Sequence, residues 1–135
     1  MKKLFKLFSL ILTFGLLFTL TACVPSADKA EEKMKEEGYL ALDASKFGLA
    51  NDKCEKVFLF ALGDNVIDAG AKFMSGEAEY LTVLYFNELD DAKAHYEEIE
   101  KQFDKLEEAD KEDLAFARSG KCVYYGKKAA AKAFK

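Results

Sequence analysis

The chain has 135 residues and carries 20 lysine and arginine side chains against 24 aspartates and glutamates, a net charge of −4 with histidine neutral. That length suits a single domain able to bury one hydrophobic core. The acidic balance excludes nucleic acid as a partner, since phosphate binding needs clustered cations, and excludes a polybasic hold on anionic lipid.

Lys2, Lys3 and Lys6 precede an apolar run over 7–18 that is interrupted only by Ser9, Thr13 and Gly15. A basic start, an apolar middle and a small-residue exit make the pattern of a secretory signal. The run ends in Leu20, Thr21, Ala22 and Cys23. These four residues resemble the lipobox of bacterial lipoproteins, in which an aliphatic and two small residues precede an acceptor cysteine. The resemblance implies diacylglyceryl transfer to the Cys23 sulfur and cleavage between Ala22 and Cys23. Residues 1–22 are then a signal peptide, 23–27 a lipid-anchored linker, and 28–135 a single domain on the extracytoplasmic face of the cell membrane. The competing reading is an uncleaved transmembrane helix over 4–22, since about 17–25 apolar residues suffice to span a bilayer. No basic stop-transfer cluster follows, however, and two acyl chains anchor stably at ~0.8 kcal/mol per buried methylene. The lysines before the run favour the cytoplasmic side, which sends the remainder outward. The 113 residues after the signal keep 17 basic and 24 acidic side chains, so the exported part is more acidic than the whole.

Asp28 and Glu31 have capping-box spacing for a first helix. Ala30 and Met34 mark its apolar side, and Gly38 suits its end. A strand over 39–42, a loop over 45–53 and an apolar strand over 57–62 follow. The segment 66–74 reads two ways. Ile67, Ala69, Ala71 and Phe73 alternate with polar or small residues at strand period, whereas Val66, Gly70, Phe73 and Met74 fit a short helix. The strand is favoured, because Gly70 weakens a helix by ~1 kcal/mol relative to alanine. Residues 80–86 are β-branched and aromatic, the clearest strand signal in the chain. Asn87 can cap a long helix in which Leu89, Ala92, Tyr96, Ile99, Phe103 and Leu106 recur at spacings of three and four, one apolar stripe for packing on a sheet. Residues 114–118 and 121–125 flank Ser119 and Gly120 as a hairpin, in a register that pairs Arg118 with Lys121 and Phe116 with Val123. Leu114, Phe116, Val123 and Tyr125 then share one face, and Ala115, Ala117, Cys122 and Tyr124 the other. A short helix over 127–134 closes the chain. The expected fold class is α+β, an antiparallel sheet with helices packed on one face.

Few residues carry reactive chemistry. Beyond Cys23 the cysteines are Cys54 and Cys122, which an oxidising compartment would allow to form a disulfide worth roughly 4 kcal/mol; two separate buried thiols are the alternative. His95, the only histidine, has Asp91 and Glu98 within a turn, but one histidine without CxxC spacing falls short of a zinc site, and it reads as a helix-surface residue. The acidic runs over 97–100 and 107–110 lack the alternate ligands and central glycine of a calcium loop. No phosphate-binding glycine loop and no serine elbow occurs. No cofactor is expected. The six tyrosines suit either a half-buried core or a ligand-binding face. In the hairpin register above, Cys122 and Tyr124 lie on a second sheet face left partly open, which makes Tyr124 the candidate contact residue.

Three stretches carry a wider resemblance: Lys29-Ala-Glu-Glu-Lys-Met-Lys-Glu-Glu-Gly-Tyr39, the strand over 80–86 leading into Asp91-Ala-Lys-Ala-His-Tyr96, and Ser119-Gly-Lys-Cys-Val-Tyr-Tyr-Gly126. They resemble small uncharacterised lipoproteins of Gram-positive bacteria, a group that brings no activity with it. Cys122 stands where such chains are expected to carry tryptophan. The expected function is therefore a membrane-anchored, non-enzymatic binding or interaction module of the cell envelope, with an unknown protein or small molecule as ligand. An accessory subunit or inhibitor that docks a neighbouring membrane protein through the open sheet face is the alternative, and a small hydrolase the third reading.

Overall fold

In the computed structural model, residues 24–44 and 52–135 are described. The signal segment 1–22, Cys23 and most of the expected 45–53 loop lie outside them. In chain order the elements are α1 (Ala27–Glu36), β1 (Tyr39–Asp43), β2 (Cys54–Leu62), α2 (Val66–Ser75), β3 (Tyr80–Phe86), α3 (Leu89–Asp104), α4 (Glu108–Lys111), β4 (Leu114–Ser119), β5 (Cys122–Lys127) and α5 (Lys128–Phe134). The five strands form one sheet in the order β1-β2-β3-β5-β4, with every pairing antiparallel. The α+β class with an antiparallel sheet is the one the sequence leads one to expect.

Residues opposite one another in the ladder share a face. Phe58, Phe60, Leu81, Val83, Tyr85, Ala117, Cys122 and Tyr124 therefore form one apolar layer, and Ala30 and Met34 of α1 with Ala130, Ala131 and Phe134 of α5 close over it. Val57, Leu84, Phe86 and Val123 form the other layer, and Ala92, Tyr96 and Ile99 of α3 pack on it. The expectation of helices on one face is thus corrected: helices cover both. The reason lies in β3 and β5, whose consecutive residues are nearly all apolar, so that each face needs its own cover. α1 and α5, from opposite ends of the chain, supply the second cover side by side, and Lys33 Nζ donates to the Lys135 backbone oxygen.

The hairpin differs by one step from the expected register. Ser119 pairs with Cys122 and Phe116 with Tyr125, so the two turn residues are Gly120 and Lys121. Gly120 has φ +58 and Lys121 has no positive φ, which places glycine first in the turn, the II′ pattern whose twist matches the strands. Moving a two-residue turn by one position shifts each pairing by two residues, so every side chain keeps its face. Gly126 is fixed more tightly: its φ is +153, and a Cβ there would stand 2.3 Å from the Tyr80 backbone oxygen.

The segment 66–74 is helical, contrary to the favoured strand. Its neighbours settle the choice. Asn65 Oδ1 accepts a hydrogen bond from the Asp68 N–H at 2.9 Å, Asp68 Oδ2 accepts one from the Asp64 N–H at 3.1 Å, and Gly76 closes the helix. β2 and β3 already pair with each other, and the Leu62 N–H donates to the Glu79 carbonyl at 2.9 Å, so no strand edge is left there for the segment to join. The helix starts are also displaced: Ser26 precedes α1 and Glu88 precedes α3, neither making a side-chain cap.

Phe60 is fully buried between Phe58 and Phe134, at ring distances of 5.3 and 6.4 Å. Phe103 is half-buried and meets the Phe116 ring at 4.7 Å. Phe60→Ala should therefore cost about 3–5 kcal/mol, and Phe103→Ala roughly half that. Urea unfolding of both variants checks the ranking; an equal or larger loss for Phe103→Ala would mean that the α3 layer, not the α1 and α5 layer, is the main core.

Candidate interaction surface

The residues singled out from the sequence do not meet. Cys54 pairs with Phe86 and half-buries on the α3 face, whereas Cys122 pairs with Tyr85 on the opposite face. Both are free thiols, so of the two readings open from the sequence the structure has the separate thiols: the sheet itself stands between them. Cys122 is 4% exposed, and burial pushes its thiol up to about 12, against the pull of the Tyr85 hydroxyl. Tyr124 is 1% exposed beneath α5, its ring 5.1 Å from that of Phe134. The face expected to be open is filled by α1 and α5, which bury Tyr124 and remove it as a contact residue.

His95 is not a surface residue either. It half-buries on the sheet side of α3, with its ring 5.3 Å from Phe86 and 6.3 Å from Tyr125. Its Nε2 is buried without a hydrogen-bond partner. Among the described residues no three histidine, cysteine or acidic side chains converge as metal ligands. A shallow groove lies on the outer side of α1, between Asp28, Glu31, Glu32, Lys35 and Glu36, and Lys35 is paired with Glu31 at 2.9 Å. It is a solvated helix face.

The unusual surface is α2. Val66, Ile67 and Met74 are 80%, 85% and 91% exposed, and Phe73 is 43% exposed. At 100° per residue these four share one side of the helix with Gly70 and Ala71. Gly70 sits in the middle of that side with nothing within 4 Å of where a Cβ would be. The opposite side carries Asp68, Ala69 and Lys72. Ala69 is buried against Gly63, and Lys72 pairs with Asp68 at 3.3 Å. The Asp64 N–H, then Lys72, hold the Asp68 carboxyl below its usual range. Phe73 leans on Tyr80 at 5.5 Å, which ties the helix to the start of β3. α2 is therefore amphipathic in reverse: its small and charged side faces the domain, and its large apolar side faces water. The helical set Val66, Gly70, Phe73 and Met74 is visible in the sequence; the signal that decides for it is Asn65 three residues before Asp68, with Gly76 at the far end.

This face is an apolar ridge, not a cleft. Contiguous exposed apolar patches on soluble domains mark contact with other molecules. No helix among the described residues is long and apolar enough to cross a membrane. Comparison with models of protein families, with curated proteins and with solved structures finds no match.

Two measurements test the burial of the unused groups. Thiol labelling located by peptide mass should modify Cys54 in the native protein and Cys122 only after unfolding; labelling of native Cys122 would reopen the α1 and α5 face. For His95, desolvation lowers the pKa from its ordinary 6.5, opposed by Glu98. The unfolded chain then takes up the proton more readily than the folded one. The contribution of His95 is complete above pH 6.5 and is lost as the pH falls through the depressed folded value. His95→Phe should flatten the fall in urea midpoint on acidification relative to wild type; parallel curves would show that His95 does not titrate differently in the two states.

Proposed function

We propose that this chain is a bacterial lipoprotein, anchored through acylated Cys23 to the extracytoplasmic face of the cell membrane, and that its domain is a non-enzymatic interaction module of the envelope. The observation that carries the interaction reading is the outward apolar face of α2, with Val66, Ile67 and Met74 at 80–91% exposure. Leu20, Thr21, Ala22 and Cys23 support the anchor. The domain starts close behind Cys23. The Tyr85 hydroxyl donates to the Pro25 carbonyl at 2.8 Å, and Val24 packs on the core beneath α1 and α5. The linker is thus too short to let the domain stray far from the bilayer. The accessory-subunit reading moves with the surface: the docking face is α2, not the sheet. The hydrolase reading draws nothing from the one histidine, whose ring packs on those of Phe86 and Tyr125.

Cys23→Ser should abolish incorporation of a labelled fatty acid and either release the domain from the membrane or leave an unprocessed precursor. Equal labelling of wild type and variant would sink the lipoprotein reading.

A further inference from the structure

We propose that the exposed face of α2 docks a partner protein whose apolar contact is rimmed by lysine or arginine; the proposal rests on the interaction reading above and assigns the partner's chemistry. Position and charge both lead there.

Position disfavours the bilayer as occupant. The linker is held at the Tyr85 end of β3, while α2 leads into β3 at Tyr80. Tyr80 and Tyr85 are about 17 Å apart along an extended strand. α1 runs from the Pro25 end to Tyr39, which pairs with Leu62 just before α2. Pro25 and the apolar ridge therefore sit at opposite ends of the sheet, and a domain tethered two residues before Pro25 presents the ridge away from its own membrane.

Charge decides among the remaining occupants. The excursion between β2 and β3 carries Asp64, Asp68, Glu77 and Glu79 against Lys72 alone, and Lys72 is taken up by Asp68. Glu37 adds to this end, since it and Glu79 both act on the Tyr39 hydroxyl. Lys127 and Lys128 lie at the β5–α5 junction of the same end, where Glu112 and Asp113 lead into β4 and the Lys128 N–H donates to the Asp113 carbonyl at 2.8 Å. A second copy would bring acids against acids, and an anionic lipid surface would be repelled too. A cationic rim around an apolar centre is complementary. The ridge offers one face of a helix for a partner helix to lie against, with Val66, Ile67, Gly70 and Met74 as its line of contact. Gly70, lacking a Cβ, leaves a notch where a partner backbone can come close.

The test uses the full acylated chain in zwitterionic lipid nanodiscs, with a photo-crosslinking residue in place of Met74. The probe is a short amphipathic helix of leucine and lysine carrying one tryptophan. The chain itself has no tryptophan, so the probe's fluorescence also gives its affinity. A matched leucine–glutamate helix is the control. The expected result is crosslinking to the leucine–lysine helix, weakened by added salt and absent with the leucine–glutamate helix. Ile67→Gln with Val66→Gln should weaken binding about tenfold. Asp64→Asn with Glu77→Gln, which leaves the apolar face intact, should weaken it about fivefold. Equal binding of both helices, or of neither, overturns the proposal, as does wild-type affinity in both variants. Crosslinks to lipid would assign the face to the membrane, and crosslinks to a second copy would assign it to self-association; either result also overturns it. Loss of fatty-acid labelling at Cys23 is read separately, so failure of the probe with labelling intact refutes the partner's chemistry and leaves the anchored module standing.

Discussion

Two-sided burial of β3 is the constraint on which the rest depends. Leu81, Val83 and Tyr85 point to one side of the strand, Leu84 and Phe86 to the other, and none of the five is more than 8% exposed. A strand that is apolar on both sides needs paired neighbours and a helical layer above and below. β2 and β5 are the neighbours. α3 covers one side directly in sequence, and α1 and α5 cover the other. The Tyr85 hydroxyl, lifted well above its usual range by burial, finds its acceptor in the Pro25 carbonyl, and so the core also fixes where the linker leaves the domain. Gly126 meets the same constraint at the other end, where β5 comes so near the Tyr80 backbone that no side chain fits.

Much of this is legible in the sequence, for reasons that can be traced. The strand over 80–86 is dense in β-branched and aromatic residues, and its bounds match β3. The stripe through Ala92, Tyr96, Ile99 and Phe103 has a helical period, and those residues do face the sheet, although Leu89 and Leu106 at its ends are 39% and 38% exposed. Side-chain facing in the hairpin is legible even though its turn lies one position further on, because a one-position move of a two-residue turn preserves parity. The second helical layer was not legible. Ala30 and Met34 announce an amphipathic helix, and Ala130, Ala131 and Phe134 another, but nothing local says that two helices a hundred residues apart meet over Cys122 and Tyr124. That is a long-range pairing, and it decides whether a sheet face is open or closed.

The candidate surface was hidden by a different cause. Period-based reading takes apolar residues to be inward, and α2 breaks that rule. Its alternation of Ile67, Ala69, Ala71 and Phe73 imitates a strand, and its helical set lies on the wrong side for a core. Local polar groups resolve the ambiguity, since the Asn65 and Asp68 side chains satisfy backbone N–H groups at the start of the helix. A sequence whose local caps oppose its hydrophobic pattern marks a place where folding is not the pattern's only purpose.

An exposed apolar ridge is also a liability, because unpartnered chains can meet through it. The charges around α2 bear directly on that. Asp64 and Glu77 flank the ridge at its two ends, exposed and of one sign, and the helix's lysine is turned back onto Asp68. Acids so placed oppose contact between like copies while leaving a cationic partner's approach favourable. The same few residues thus separate two outcomes that apolar area alone cannot: indiscriminate self-association, and recognition of a surface of opposite charge. In the proposed docking the rim supplies the selectivity and Val66, Ile67 and Met74 the binding strength, with Gly70 setting how close a partner can come.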